Sequence, residues 1–412
     1  MMVVVHPTGN RNVRALLAGL LDAGLLAEFA TTLALNESSF WLRHFPSRAR
    51  RQLLRRSYDI PVKLVRTRPW REAVRLFADR GWLGGLTHHE TGWASVDAVY
   101  RDLDRCAARH LPGIKGVRGV YAYEDGAYDL FKTAGHLGLR RFYDLPTGYW
   151  RATRRLMEEE ADLQPEWAST LTANLNSAEK LARKDDELRL ADVIFVASNF
   201  TRSTLAGAGI DGKPIHLVPY GAPPSGMIKP EELTEGGGKL RLLYVGSLGQ
   251  HKGLSYLLEA VDLLGSSVEL TLIGRPVGGL CVPLRDAMAK HRYVQSLPHQ
   301  EVLAEMRRHD VFVFPSLCDG FGLVLLEAMS QGLPVIATPH SGGPDFITEG
   351  KDGFIVPIRS SDAIADRLAW FAEHREETRA MGESARAKAA FHTWANYGAK
   401  IVQAIIQHLG HD

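Results

Sequence analysis

Runs of consecutive apolar residues alternate along this chain with stretches whose apolar positions recur at helical spacing. In the second half the runs are "LRLLYVG" (240–246), "VELTLIG" (268–274), "VFVFP" (311–315), "PVIAT" (334–338) and "GFIVP" (353–357), with a shorter one around "YVQSL". Between them, 254–264, 283–291, 300–310 and the segment after Gly322 read as helices. Strands that are apolar at successive positions are buried on both faces, as in a parallel sheet covered by helices. The strand–helix order therefore predicts a doubly wound α/β domain.

The first half repeats the pattern with longer insertions. A strand at 2–7, the loop "TGNRN" and a helix over 13–24 open the chain, and further strands are expected at 119–127, 139–146, 192–198 and 215–222. The Pro- and Gly-rich stretch "PPSGMIKPEELTEGGG" (223–238) reads as a linker between two domains. A long helix is expected at 393–409, after the second sheet is complete. Two such domains facing each other enclose a cleft, and doubly wound sheets bind ligands beyond the carboxyl ends of their strands.

Three glycine-bearing loops follow strands of the second half. In "PSLCDGFG", Gly320 and Gly322 allow close backbone approach, and the helix behind them offers N–H groups and a positive dipole end to an anion. Glu327 is the one charge in an otherwise apolar helix, and a buried carboxylate is costly unless paired. With Asp319 it forms an acidic pair flanking the helix start, and a carboxylate there can accept hydrogen bonds from vicinal hydroxyls such as those of a ribose. A helix-packing loop with a solvated carboxylate accounts for the same residues equally well. In "SLGQHKG" (247–253), Lys252 precedes a helix where an ammonium can clamp a diphosphate and stabilise a departing phosphate oxygen. In "PHSGGPDFI", Gly342 and Gly343 open another helix. There is no Gly-x-Gly-x-x-Gly between strand and helix, no Walker loop, no metal-binding His cluster and no Gly-x-Ser-x-Gly nucleophile.

Composition changes this picture little. The chain has 412 residues, 45% hydrophobic and 23% charged, which suits a globular protein of two or three domains. Lys and Arg total 49 against 47 acids, so the global charge names no polyanionic partner. The distribution is uneven. Residues 41–75 hold eleven Lys and Arg against two acids, with Trp41, Phe45 and Trp70 interleaved. Such a segment suits anionic lipid head groups or an anionic acceptor, the plain alternative being a solvated Arg-rich helix; nothing in it resembles a nucleic-acid-binding fold. Cys106, Cys281 and Cys318 form neither a disulfide framework nor a metal pattern, which suggests a reducing compartment. The opening apolar run is too short for a signal peptide, and no stretch approaches the roughly 20 apolar residues of a membrane span. The expectation is a cytoplasmic protein, with peripheral contact at the inner face of the membrane through 41–75.

The segments "VGSLGQHKGLSYLLEA", "DVFVFPSLCDGFGLVLLEAMSQGLPVIAT" and "SGGPDFITEGKDGFIVP" closely resemble the retaining family 4 (group 1) glycosyltransferases. That family carries an acidic pair spaced E-x7-E with a G-(R/S)-L…K-G loop upstream. The likeness runs in order over 240–357, while "ADVIFVASNFTRSTL" (191–205) and "VPYGA" (218–222) resemble the segments before the family's linker. The first 190 residues resemble it only loosely. The resemblance implies a GT-B fold, two doubly wound Rossmann-like parallel-sheet domains facing across a cleft. Residues 1–222 are then an acceptor-binding domain, 223–238 the linker and 239–392 the nucleotide-sugar donor domain, with 393–412 returning onto the first domain. It implies transfer of a sugar, with retention, from a nucleotide-diphosphate-sugar to a hydroxyl acceptor, without metal or other cofactor. The setting implied is cell-envelope polysaccharide, glycolipid or glycoconjugate synthesis.

Roles carry over with the motifs. Glu327 would hold the donor ribose, Lys252 its diphosphate and Asp319 the sugar hydroxyls. The backbone of Phe321, Gly322 and Leu323 would meet sugar and phosphate. Gly246, Ser247, Gly342 and Gly343 stand in donor-binding loops, and Gly9 and Asn10 where the other domain's first loop approaches the donor. Three departures stand out. Asp319 replaces a Glu, Ser247 replaces a diphosphate-binding Arg, and the family's His is missing from the strand tips "YEDGA" and "FYDLP", leaving Glu124, Asp125 or Asp144 as substitutes. The alternatives are a non-catalytic nucleotide-sugar-binding relative, or another GT-B enzyme such as a nucleotide-sugar epimerase or a phosphorylase.

Overall fold

A computed structural model describes residues 1–35, 54, 56–78, 84–225 and 238–410. Two parallel sheets organise them. The first runs in the order β3-β2-β1-β4-β5-β6-β7, from β1 (Met2–Val5), β2 (Leu26–Thr31), β3 (Val65–Thr67), β4 (Gly119–Tyr123), β5 (Arg140–Leu145), β6 (Val193–Val196) and β7 (Ile215–Leu217). The second runs β10-β9-β8-β11-β12-β13, from β8 (Leu240–Val245), β9 (Val268–Ile273), β10 (Arg292–Val294), β11 (Val311–Phe314), β12 (Val335–Ala337) and β13 (Gly353–Ile355). Strand order reverses beside the first strand of each sheet, between β1 and β4 and between β8 and β11. Those are the points where a doubly wound sheet opens a crevice at its carboxyl edge.

The central strands are buried end to end, as Met2–Val5 and Val311–Phe314 illustrate, which is why their sequences are apolar at every position. Two strands fell outside the apolar-run pattern. β2 carries Glu28, and β3 is a three-residue strand at the sheet edge containing Arg66 and Thr67. Arg66 pairs with Glu28 at 3.1 Å on one side of this corner, while Phe29 and Val65 pack into the core on the other.

The chain crosses between the domains more often than a single linker requires. The helix Trp394–Leu409 lies along the helix Arg11–Asp22, where Ile401, Val402 and Ile405 share a core with Leu16, Leu17 and Leu20. The approach is close: a Cβ on Gly398 would sit 2.5 Å from the Ala15 carbonyl oxygen. A second crossing has no counterpart in the sequence reading. Between β5 and β6, the helix Trp150–Leu163 and the turn Pro165–Thr170 leave the first sheet. They place Met157, Trp167 and Leu171 in one core with Leu240, Leu242, Tyr244 and Leu257 of the second domain. A division of the chain at 222 and 239 therefore does not follow the packing. Of the linker, residues 226–237 lie outside the described residues, as do 41–53 and 55 of the basic segment. Among the described residues, no helix is long and apolar enough to cross a membrane.

Candidate active site

The loop after β11 and the loop after β8 meet at the crevice of the second sheet. Gly322 is the last residue before the helix Leu323–Ser330 and adopts φ 75°, a left-handed conformation that favours glycine. Its neighbour Asp319 folds back on the turn, one carboxylate oxygen accepting the N–H groups of Phe321 at 2.9 Å and Gly322 at 2.6 Å. The other oxygen is paired with the Lys252 ammonium. Burial opposes ionisation of Asp319, but Lys252 and the two N–H groups outweigh it and hold the carboxyl below its usual range.

Lys252 ends the turn Gln250–Lys252. Next to it, Gly253 has φ 68°, and a Cβ there would stand 2.0 Å from the Pro315 carbonyl oxygen. The His251 carbonyl accepts the N–H groups of Leu317 at 3.1 Å and Cys318 at 3.3 Å. Backbone contact thus stitches the two loops together and brings Lys252 to Asp319. Burial, and secondarily the Lys252 charge, keep the His251 imidazole neutral with its pKa down to about 4. That imidazole lies 3.1 Å from the Ser247 hydroxyl, and Gly246 backs onto the Tyr244 hydroxyl.

Glu327 sits one turn into the same helix, and its partners come from afar. One carboxylate oxygen lies 2.8 Å from His299 Nε2 and 4.0 Å from the Arg11 guanidinium, while Arg11 also reaches His299 Nδ1 at 3.1 Å. His299 opens the helix after β10, and Arg11 opens the helix after the Gly9–Asn10 loop of the other domain. Neither was singled out from sequence. Their signal was positional, each being the first residue of a helix that follows a strand on a cleft-facing edge.

The remaining glycine-loop residues pack around this corner. The Phe321 ring is buried edge-on to Tyr220 at 5.1 Å, and its carbonyl accepts the Gly342 N–H at 2.8 Å. Gly343 opens the short helix Gly343–Phe346, and Leu323 is partly exposed at the start of its helix. The sequence alone offers Gly320 as room for a ligand. In the structure a Cβ there would meet the Pro146 carbonyl at 2.1 Å, so its smallness admits a loop of the first domain. Ser198 and Thr201 donate to the Gly320 carbonyl at 2.5 and 2.9 Å, which closes that contact. Gly9 packs against the Tyr58 ring, and Asn10 is the exposed residue just before the helix Arg11–Asp22, its side-chain oxygen facing the Thr8 hydroxyl at 3.2 Å.

The acidic strand tips of the first sheet separate into different environments. Asp144 is enclosed, accepts the Tyr121 hydroxyl at 2.7 Å, and is pushed up to about 7 by burial. Asp125, at φ 71°, faces Lys184 at 3.6 Å and Lys180 at 3.8 Å. Glu124 accepts the Thr147 hydroxyl at 3.3 Å and pairs with Lys184 at 3.1 Å, and burial raises its carboxyl above the usual range. Thr147 and Lys184 line an interdomain cavity of about 400 Å³ together with Arg154, Lys252 and Asp319. Glu124 and Asp125 thus both meet the cleft through Lys184, and Glu124 also through Thr147. Lys184 was missed because it lies in the charge-rich run "ARKDDEL".

Asp144 carries a stability prediction. Its folded pKa lies above the ordinary carboxylate value, so its contribution is complete below about pH 4 and is lost as pH rises through about 7. Asp144→Asn keeps an acceptor for Tyr121 and should flatten the fall of Tm across that interval, an effect of at most about 4 kcal/mol. Parallel pH–Tm curves for the two proteins would contradict it.

Residues 228–388 match the family described as glycosyl transferases group 1. This region belongs to the group 1 glycosyltransferases. The glycosyltransferase region has relatives of similar type. The chain is 32% identical over 171 residues to a D-inositol 3-phosphate glycosyltransferase of Corynebacterium glutamicum, covering 38% of this chain and 41% of that one. It is 32% identical over 164 residues to the amylovoran biosynthesis glycosyltransferase AmsK of Erwinia amylovora, covering 36% and 40%. The matches thus span about two fifths of these curated relatives. Similarity of fold extends further. Sucrose-phosphate synthase from Thermosynechococcus elongatus aligns with TM-score 0.68 over 98% of both chains at 16% identity. Anabaena Alr3699/HepE, solved in complex with UDP, aligns with TM-score 0.61 over 98% of this chain and 99% of its own at 13% identity. The fold is GT-B, with the glycosyltransferase region forming its second domain. Lys252, Asp319 and Glu327 all lie within that region.

Proposed function

We propose that the chain is a metal-independent, retaining glycosyltransferase of family 4 that moves a sugar from a nucleoside-diphosphate-sugar to a hydroxyl acceptor. The observation carrying this reading is the meeting of Lys252 and Asp319 at the amino end of the helix that bears Glu327, within a group 1 region. An ammonium and a helix N-terminus together stabilise a departing diphosphate without a bound cation. Vicinal ribose hydroxyls donate to Glu327 and displace His299 and Arg11 from it. Asp319 orients the sugar while the acceptor enters from the cavity at Thr147 and Lys184. The acceptor oxygen bonds to the anomeric carbon on the face the phosphate leaves. The bond to the phosphate oxygen breaks, and that oxygen takes the acceptor proton. The two glycosyltransferases above and the UDP complex of Alr3699/HepE support transfer and a nucleotide donor. The setting proposed is cell-envelope polysaccharide, glycolipid or glycoconjugate synthesis on the cytoplasmic side of the membrane.

The direct test is thermal unfolding in EDTA with UDP, GDP, ADP and their common sugar conjugates. A ligand bound only by the folded state raises Tm as its concentration exceeds Kd. One nucleobase should give a clear shift that Glu327→Ala abolishes. A flat response to the whole panel would overturn the donor site.

Peripheral contact with an anionic membrane belongs to the same reading. The helix Trp70–Ala78 turns Trp70 (70% exposed) and Phe77 (64% exposed) outward, seven positions apart and so on one face. Its Glu72 is buried instead, paired with Arg56 and Arg75. Exposed Val62, Lys63 and Arg68 precede the helix, so apolar and cationic groups occur together as an anionic bilayer requires. The protein should co-sediment with phosphatidylglycerol vesicles but not with phosphatidylcholine ones. Trp70→Glu with Phe77→Glu should weaken that binding at least about ten-fold. Equal behaviour with the two lipids would remove the charge argument.

A further inference from the structure

Glu160 is a carboxylate with no exposed surface, on the helix Trp150–Leu163 that crosses from the first sheet into the second domain. A group of this kind needs full compensation, and Glu160 has it. One oxygen accepts Gln250 Nε2 at 2.6 Å and the Tyr256 hydroxyl at 2.9 Å, and the other accepts Arg359 Nε at 2.7 Å. Arg359 reaches it from a left-handed backbone at φ 61°, a conformation that costs a non-glycine residue about 1 kcal/mol or more.

The destination of these bonds is the loop that carries Lys252. Gln250 is fully buried and begins the turn that Lys252 ends. Its backbone N–H is held by the Thr170 hydroxyl at 2.9 Å, again from the crossing segment. Its side-chain oxygen accepts the Ser255 N–H at 3.1 Å, which ties it to the next helix. Its carbonyl accepts the Gly253 N–H at 2.7 Å, closing the turn around Lys252. Glu160 and Thr170, 90 and 80 positions before Gln250, therefore hold the turn that carries Lys252 from beneath. The amino end of the same helix contributes Trp150, Thr153 and Arg154 to the interdomain cavity.

We infer that Glu160 is a positioning residue for Lys252, acting through Gln250, and that the crossing segment 150–171 sets the geometry of diphosphate binding. This rests on the donor reading above. A side chain that fixes Lys252 matters for the diphosphate and not for the nucleoside. The readout is therefore the ratio of diphosphate to monophosphate affinity, measured by calorimetry for UDP/UMP, GDP/GMP and ADP/AMP on the full chain.

Glu160→Ala should lower that ratio about ten-fold, as expected when a supporting contact is removed from a coupled pair. Glu160→Gln, which keeps an acceptor for Gln250, should restore most of it. Arg359→Met breaks only the far side and should lower Tm without moving the ratio. Should Glu160→Ala not fold because it strands the Arg359 charge, the double change Glu160→Ala with Arg359→Met removes both charges and carries the same expectation. In a Lys252→Ala background, Glu160→Ala should cost nothing further. An additive loss there, or an unchanged ratio beside a lowered Tm, overturns the inference while leaving the donor site intact. A wild-type protein with no preference for any diphosphate overturns both.

Discussion

Glu327→Ala is expected to lose at least about 100-fold in kcat/KM and in nucleotide affinity, with little change in Tm without ligand. Two hydrogen bonds from ribose hydroxyls to a charged acceptor contribute about 1.5–3 kcal/mol each, which sets the scale. The free protein loses much less. Arg11 is 41% exposed and 4.0 Å away, and such pairs are worth under about 1 kcal/mol. His299 can turn to solvent once its partner is gone. Binding and folding are thereby separated, so a melting curve that stays put while the nucleotide response vanishes identifies a ligand contact. If Glu327→Ala retains its nucleotide shift, the ribose is held elsewhere and the acidic pair is structural.

Lys252→Ala should reduce kcat by about 10²–10³-fold, the usual cost of removing one preorganised group facing developing charge. Lys252→Arg should recover little. The ammonium is enclosed between the Asp319 carboxylate and the Phe314 ring, whose centroid lies 5.4 Å away, and a planar guanidinium does not fit that corner as a compact charge does. Removing Lys252 also releases Asp319. In the native protein a depressed carboxyl contributes stability above its ordinary pKa and loses it as pH falls through the lower, folded value. The variant should lack that acid-side dependence. Wild-type turnover that survives EDTA, beside a crippled Lys252→Ala, is the pattern required, and a kcat within a few-fold of wild type would remove Lys252 from the chemistry.

Much of this site was legible because its parts lie at strand ends. Lys252 follows β8, and Asp319 and Glu327 follow β11, and those strands are conspicuous since burial on both faces demands apolar residues throughout. What pairs with what was not legible. Glu327 meets Arg11 and His299, which the chain supplies from another domain and another helix, and no local spacing records such a contact. Gly320 announced a close approach without saying that Pro146 makes it. Ser247 looked like a lost phosphate ligand, whereas its hydroxyl neighbours His251. Nothing local in "WRATRRLMEEEADL" marks it as a crossing segment, because the groups that bury Met157 and Glu160 lie in the second domain, Arg359 as far as 199 positions away. β3 escaped because an edge strand of three residues with Val65 as its one apolar side chain leaves no apolar run to read.

The crossing segment has a consequence for recombination. Enzymes built from two halves invite the exchange of one half between relatives, with the join made at the linker. Here a join near 226–237 would import a foreign 150–171 into the core around Leu240, Tyr244 and Leu257, and a foreign partner for Arg359. It would also part the helix Trp394–Leu409 from the Arg11–Asp22 helix it was matched to. A chimera that respects the packing transfers 150–171 with the second domain and 394–409 with the first. Its natural seams lie near 146–149, 172–177, 226–237 and 390–393, four cuts in place of one.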